Sequence, residues 1–482
     1  MLEALAHNQL KHLLQVNSCP WPHNLTLSRL VARSLRRRDN SLIQLEIGSQ
    51  DFWWIGLLTP LCFESTGVVL VLSEIQRRRF LQFELPRLKQ CGLQLSYWEG
   101  SKPPNSEQVW IMDHVGLIDA FRKGALNSKH LIIPEAELFV GRLREAMELE
   151  ITAEDWEILR KSNPSVDIPL MLLYERLSRR LFAHASRVDA QVRMDCSEIV
   201  ALRDLVGLLD FLPSPWSELL NSKNEDWASW AELHHKTLNW TWHLKLLEPL
   251  QVLKGLLNQS FLLIAGSGHN PLLLAQLESV ACSLTVKVTL GGAILQEPIS
   301  LFVPHRQPLP NTEFFALHLL DQSRRLILGL SGLTIVLLDD DQLRLQLTAE
   351  LAAEFGRRVV HEVTVPTTNG VVCCRWSWWL AHQDQLPLPD QLIVGILPLA
   401  SVEEPLIAAR VEALKRKGRD WFRELLLPEA LSCLPQALAP LRASGGRIAI
   451  LDGRLRTRTW GAQFYAALEP WTPLHRLLPN SA

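Results

Sequence analysis

Short runs that are almost entirely apolar punctuate this chain: VVLVL at Val68–Leu72, LII at Leu131–Ile133, FLLIAG from Phe261, TIVLLD from Thr334, VVCC from Val371, LIVGIL from Leu392 and RIAIL from Arg447. A strand with no polar face must be covered on both sides, the condition of a parallel sheet flanked by helices. Stretches with apolar residues at helical spacing, such as Leu27, Leu30, Val31 and Leu35, lie between the runs. The pattern predicts an α/β protein: a first parallel-sheet lobe over 1–137, a mostly helical insertion over 138–257, and a second lobe over 258–482. LTVKVTL (Leu284–Leu290) and LILGL (Leu326–Leu330) are expected as strands of the second lobe. A strand near Leu238–Leu244 closes the insertion and sets Trp240 and Trp242 on one face.

The 482 residues carry a net charge of −2, so any nucleic-acid surface must be a local patch. No uncharged apolar run reaches the roughly 18 residues of a membrane span, and the N-terminal MLEALAHNQLKHLL lacks the parts of a secretory signal. Eight scattered cysteines form no C-x-x-C pair. A reduced cytoplasmic setting without a membrane partner is the expectation, and the oligomeric state stays open.

The segment LIQLEIGSQDFWWIGLLTP (Leu42–Pro60) runs from an expected strand through a glycine-bearing turn into an apolar helix. That is the layout of a phosphate-cradling loop, where backbone N–H groups and a Lys-Ser/Thr pair hold a triphosphate and Mg²⁺. Two tryptophans, Trp53 and Trp54, stand where the Lys-Thr pair belongs. Further along come LIIPEAE (Leu131–Glu137), VWIMDHVGLI (Val109–Ile118), RWSWWLAHQDQLPLP (from Arg375), LPLASVEEPLIAARVEALKRKGRDWFRELLLPEAL (from Leu397) and QALAPLRASGGRIAILDGRLRTRTWG (from Gln436).

Taken in order, these segments resemble the DinG/XPD branch of superfamily 2 DNA helicases, from roughly Leu27 to Trp471. The resemblance implies two RecA-like lobes. In the family's E-A-G-T-G-x-G-K-T frame, Glu46, Gly48 and Pro60 match, while Gln50 and Phe52 replace glycines. In the D-E-A-H frame Pro134 replaces the Mg²⁺-binding Asp, Glu135 and Ala136 remain, and Glu137 replaces His. Asp113-His114 stands where the family has Asn-His. RWSWWLAHQDQLPLP resembles S-F-W-E-G-V-D-x-P-G without its Glu, Gly and Asp. In the frame that resembles Q-G-x-G-R-x-I-R and the strand after it, Gln436, Asp452, Arg454 and Gly461 match. Pro440 occupies the γ-phosphate arginine's place, and Arg442 falls one residue short of the second arginine. Only Cys62 and Cys91 lie between the first two frames, against the four thiolates of a standard iron–sulfur cluster, so none is expected.

By resemblance, then, Glu135 is the residual catalytic residue, and Glu46, Gly48 and Gln436 are remnants of the nucleotide-binding set. No metal site or cofactor is expected, and ATP/Mg²⁺ enters only if the degenerate frame still binds. Trp53 and Trp54 read either as core or as a stacking platform. The family's single-stranded DNA path passes the strand that Arg77-Arg78-Arg79 follows, which makes those arginines the candidate nucleic-acid contacts. Arg36–Arg38, Lys415–Lys417 and Arg454–Arg458 are further basic clusters. Asp339–Asp341 is expected to be a solvated turn, with Asp341 capping a helix Gln342–Phe355. Trp376 and Trp378 would share a face as a strand, and His234-His235 lacks a third ligand for zinc. The leading expectation is a pseudo-helicase that binds single-stranded DNA. The alternatives are a protein-interaction scaffold and an ATP-dependent helicase with a non-standard nucleotide site.

Overall fold

The structure, a computed structural model, describes residues 2–16, 21–45, 50–105, 107–183, 191–221, 227–253, 255–266, 271–291 and 297–475. Its contacts divide into two units, one holding 1–45, 49–290 and 401–421 and the other 291–400 and 422–482.

The first unit is built on seven described strands that are parallel throughout. In chain order these are β1 (Ser41–Leu45), β2 (Val68–Val71), β3 (Tyr97–Trp98), β4 (Val109–Met112), β5 (His130–Pro134) and, after the insertion, β10 (Ser260–Ala265) and β11 (Val286–Leu290). Their order across the sheet is β11-β1-β10-β5-β2-β4-β3. Every residue of β1, β2 and β5 is buried, as expected of strands covered on both faces. Helix Asn24–Arg37 covers one face with a stripe of Leu27, Ser28, Val31, Ala32 and Leu35. Helix Trp54–Leu61 lies close against it, since a Cβ on Gly56 would come within 2.9 Å of the Asn24 carbonyl oxygen.

Two expected strands change place. FLLIAG and LTVKVTL were assigned to the second lobe, yet β10 inserts between β1 and β5, and β11 forms the edge beside β1. The first lobe therefore runs on past the 257/258 boundary. An apolar run fixes that a strand is buried but not which sheet receives it.

The insertion carries the expected helices, among them Ala153–Ser162, Asp167–Ala183 and Cys196–Val206, and adds a four-stranded antiparallel sheet. Its strands are β6 (Leu149–Ile151), β7 (Gln191–Arg193), β8 (Trp227–His234) and β9 (Asn239–Leu246), in the order β6-β9-β8-β7. Trp240 and Trp242 lie on the buried face of β9 as the alternation predicts, with Leu244 beside them in a core shared with Trp156 and Trp216. Helix Pro405–Arg416 belongs to this unit as well, and its Ala409 clusters with Ala228, Trp230 and Leu247.

The second unit has its own seven-stranded parallel sheet: β12 (Ile299–Phe302), β13 (Thr334–Leu337), β14 (Val359–His361), β15 (Val371–Cys374), β16 (Gln391–Val394), β17 (Arg447–Ile450) and β18 (Trp471–Pro473), in the order β14-β15-β13-β16-β17-β12-β18. LILGL is not a strand here. Its first three residues end the helix Phe315–Leu328, where Leu326 and Ile327 fill the helix's buried stripe. The Trp-rich segment is also helical, Trp376–His382, so Trp376 and Trp379 rather than Trp376 and Trp378 face the core. Asp340, one residue earlier than expected, caps the helix Asp341–Phe355 by accepting from Leu343 N at 2.8 Å. Asp339 stays exposed, as expected of a solvated turn, and accepts from Trp376 N at 2.9 Å.

Candidate functional site

In an open parallel sheet, ligand chemistry collects where the strands end at their carboxyl edge. The candidate loop residues Glu46 and Gly48 lie outside the described residues. The chain resumes as a short 3₁₀ turn, Gln50–Trp53, that runs directly into helix Trp54–Leu61. Trp53 is 6% exposed and Trp54 1%. Their rings stack at 4.8 Å with 17° between planes. Both belong to the same buried cluster as Leu27, Val31, Ile43, Leu262 and Ile264. Of the two readings of this pair, the geometry matches the core.

Next to it, β5 ends at Pro134, which pairs with Ile264 of β10 but lies beyond the last residue paired with β2. A residue without an N–H is tolerated at such a strand end. Glu135 follows in the left-handed region (φ 51°, ψ 48°), rare for a residue with a Cβ. Its carboxylate pairs with the Arg142 guanidinium. Glu137, by contrast, turns to the end of β10, where both carboxylate oxygens accept from Gly266 N at 3.1 Å. Some of its surface stays open, yet protein mass encloses the carboxyl on most sides. Burial pushes it up to about 7, the Glu135 charge adds to the rise, and the Gly266 N–H opposes it. Asp113 caps helix His114–Arg122 by accepting from Gly116 N at 2.7 Å. His114 is buried with its ring 6.1 Å from Phe139, and burial, helped by Arg142, pulls it down to about 4.

Sequence reasoning did not single out Arg142 or His130. Arg142 sits seven residues beyond Glu135, one helical face away, and that spacing was its only signal. His130, fully buried, bridges Ser34 Oγ (3.2 Å) and Ser260 Oγ (2.9 Å), and burial holds it down near 3.

Arg77, Arg78 and Arg79 end the helix Glu74–Arg79 after β2, on the expected element. None of the three stands as an open cation. Arg77 grips Glu99 (2.8 and 3.3 Å) and reaches Glu74, Arg78 pairs with Glu74 at 2.9 Å, and Arg79 pairs with Glu84 at 3.1 Å.

In the second unit Gln436 lies partly exposed on helix Leu427–Ser444, which also contains Pro440. Arg442 binds backbone carbonyls of Leu468, Glu469 and Pro470. Asp452 is fully buried after β17 and accepts from Leu397 N at 3.0 Å and from the Arg454 guanidinium at 2.7–3.0 Å. Gly461 is held where a Cβ would lie 1.9 Å from the Leu455 carbonyl oxygen.

Segments of curated helicases match this chain. It is 30% identical over 123 residues to the ATP-dependent DNA helicase YoaA of Escherichia coli K12, covering 25% of this chain and 19% of that protein. It is 40% identical over 75 residues to the 3'-5' exonuclease DinG of Bacillus subtilis strain 168, covering 15% and 8%. The matched stretch thus spans less than a fifth of either relative. An apo XPD structure superposes at a TM-score of 0.60 over 93% of this chain and 99% of that one, with 11% identity. In these segments and in fold, the chain is similar to the DinG/XPD-like helicases of superfamily 2. The S. tokodaii Xpd4 structure agrees at 0.58, with 13% identity over 92% of this chain and 97% of that one. At such identities these two likenesses bear on the fold, which is the two-lobed RecA-like one. No family model matches. None of the described helices is long and apolar enough to cross a membrane.

Proposed function

We propose that this chain is a non-hydrolysing member of its family, a helicase body that binds single-stranded DNA without ATP turnover by the standard mechanism. The observation that carries the proposal is the burial of Trp53 and Trp54 as one stacked pair in the core of the first unit. Phosphoryl transfer in this class needs a lysine on the phosphates, a carboxylate on Mg²⁺ and an arginine on the developing charge. An indole at position 53, a proline at 134 and a proline at 440 offer none of these. The nearest substitute, Arg442, is already committed to three carbonyls. Mg²⁺-triphosphate therefore does not fit the residues present. Glu135, the acid retained at the catalytic position, is engaged by Arg142.

The test is ATP hydrolysis by the purified chain with and without single-stranded DNA. No turnover above a no-protein blank is expected, and DNA-stimulated turnover abolished by Glu135→Gln would overturn the reading.

For the DNA role, Arg77–Arg79 remain the proposed contacts, with phosphates displacing Glu74 and Glu99. Binding should weaken steeply with salt and drop in the Arg77/Arg78/Arg79→Ala variant. A second reading, a protein-interaction scaffold, draws on one specific observation: each of these guanidinium groups already has a carboxylate partner. Absence of DNA binding at low salt would select it.

A further inference from the structure

We infer that the insertion carries a divalent transition-metal site, with Glu148, Glu150 and His243 as ligands and zinc as the best-fitting ion class. The register of the antiparallel sheet builds it. Glu150 pairs with His243 across β6 and β9, and His243 pairs with Trp230 across β9 and β8. Period-two alternation then sets Glu148 and Glu150, His243 and Lys245, and Trp230 and Glu232 on one face, opposite the Trp240–Trp242 core.

The geometry is that of a ligand set. His243 Nδ1 lies 3.0 Å from Glu148 Oε1 and 3.7 Å from Glu150 Oε1, and one ligand atom from each residue falls within 4.8 Å of the others. Ligands on a tetrahedral centre with bonds of about 2.1 Å stand roughly 3.4 Å apart, so small side-chain shifts close the set. Three protein ligands leave a fourth position for water or substrate.

The surroundings supply what ligands of this kind need. His243 Nε2 points at Glu232 Oε2, 3.5 Å away, the carboxylate that fixes which ring nitrogen faces the metal. Lys245 Nζ lies 3.0 Å from the other Glu148 oxygen and orients that carboxylate. Trp230 stacks on the imidazole at 5.4 Å with 10° between planes, and Trp230 itself is held among Ala228, Leu247 and Ala409. Three carboxylates face one ammonium, leaving two negative charges that a divalent ion neutralises. His243 and Glu148 are nearly enclosed, with side chains 12% and 15% exposed, whereas Glu150 is 57% exposed and gives the ion an entry path.

The test is titration of the metal-stripped full chain with Co²⁺, followed by its visible absorption, and with Zn²⁺ by calorimetry. One equivalent is expected, with the bands of a low-coordinate nitrogen–oxygen site. His243→Ala and Glu150→Gln should remove it, and Glu232→Gln should weaken it about tenfold. Glu150→Gln changes an exposed side chain and keeps the fold, which circular dichroism checks, so its result stands even where His243→Ala misfolds. Three outcomes overturn the inference: no stoichiometric binding, binding unchanged in Glu150→Gln, or thiolate-to-cobalt bands that place the ion on cysteine.

Discussion

Truncating Trp54 separates a core tryptophan from a ligand platform. Its side chain is 1% exposed, and a buried indole removes about 150–250 Å² from water. At ~25 cal/mol/Å² that is roughly 4–6 kcal/mol, an upper figure because the unfolded chain is already partly collapsed. Alanine keeps the β-carbon but leaves a cavity and ends the stacking with Trp53, so Trp54→Ala should cost about 3–5 kcal/mol. With two units in the chain, global unfolding need not be two-state. The loss should therefore be read locally, by hydrogen exchange in urea on peptides covering Trp54–Leu61. The companion variant Trp53→Lys with Trp54→Thr restores the family's residue types at these positions. It should be destabilised and gain no ATPase, because the carboxylate and arginine positions remain prolines. A loss below about 1 kcal/mol in Trp54→Ala would refute the reasoning, as would DNA-stimulated hydrolysis in the double variant.

Glu137 gives a pH signature. Its folded pKa, about 7, lies above the ordinary value of 4.5, so its contribution is complete below pH 4.5 and disappears as pH rises through 7. The loss is about 3 kcal/mol, and Glu137→Gln should flatten stability between pH 4.5 and 8, measured by urea midpoints. His130 acts in the opposite direction: held near 3 against 6.5, it stabilises above pH 6.5 and destabilises as pH falls toward 3. The size is up to roughly 4–5 kcal/mol, and His130→Asn should show a shallower acid limb. Gly461→Ala drives a Cβ into the Leu455 carbonyl and should cost about 3 kcal/mol or leave the chain insoluble on expression. Glu99→Gln removes the nearer of Arg77's two carboxylate partners and should raise single-stranded DNA affinity about two- to fivefold at low salt, and unchanged affinity would favour the scaffold.

What could be read from sequence follows from how locally each feature is encoded. Apolar runs identified β2, β5, β13, β15, β16 and β17 because burial on both faces leaves no polar position to obscure the signal. The short edge strands β3 and β18 carry no such run, and β10 carried one without an address. LILGL looked like a strand because five residues are too few to separate a period of two from one of 3.6. SWWLAH misled for the same reason, and the Trp376–Trp379 spacing was the helical clue. At the candidate site, the replaced positions could be read directly, since a tryptophan or proline cannot imitate lysine or aspartate. The pairing of Arg77 with Glu99 could not, because it joins residues 22 apart through a fold that sequence spacing does not encode.

The family-type residues that remain divide by the job they do. Asp452 ties Leu397 N to Arg454, Gly461 admits the Leu455 carbonyl, Ala136 is fully buried, and Glu135 holds Arg142 across a left-handed turn. Each serves the backbone of its own unit whether or not a nucleotide ever binds. Among the positions that differ, 53, 54, 134 and 440 are ones whose family residues serve phosphate or Mg²⁺, and the fold accepts an indole or a proline at each. Among the described residues, Gln436 is a match on a partly exposed helix face, so it discriminates well. If Gln436→Ala leaves stability and DNA binding unchanged, Gln436 carries no surviving nucleotide role, as the non-hydrolysing reading requires. If it instead weakens nucleotide binding in a direct titration, a functional nucleotide contact has survived and that reading fails at this residue.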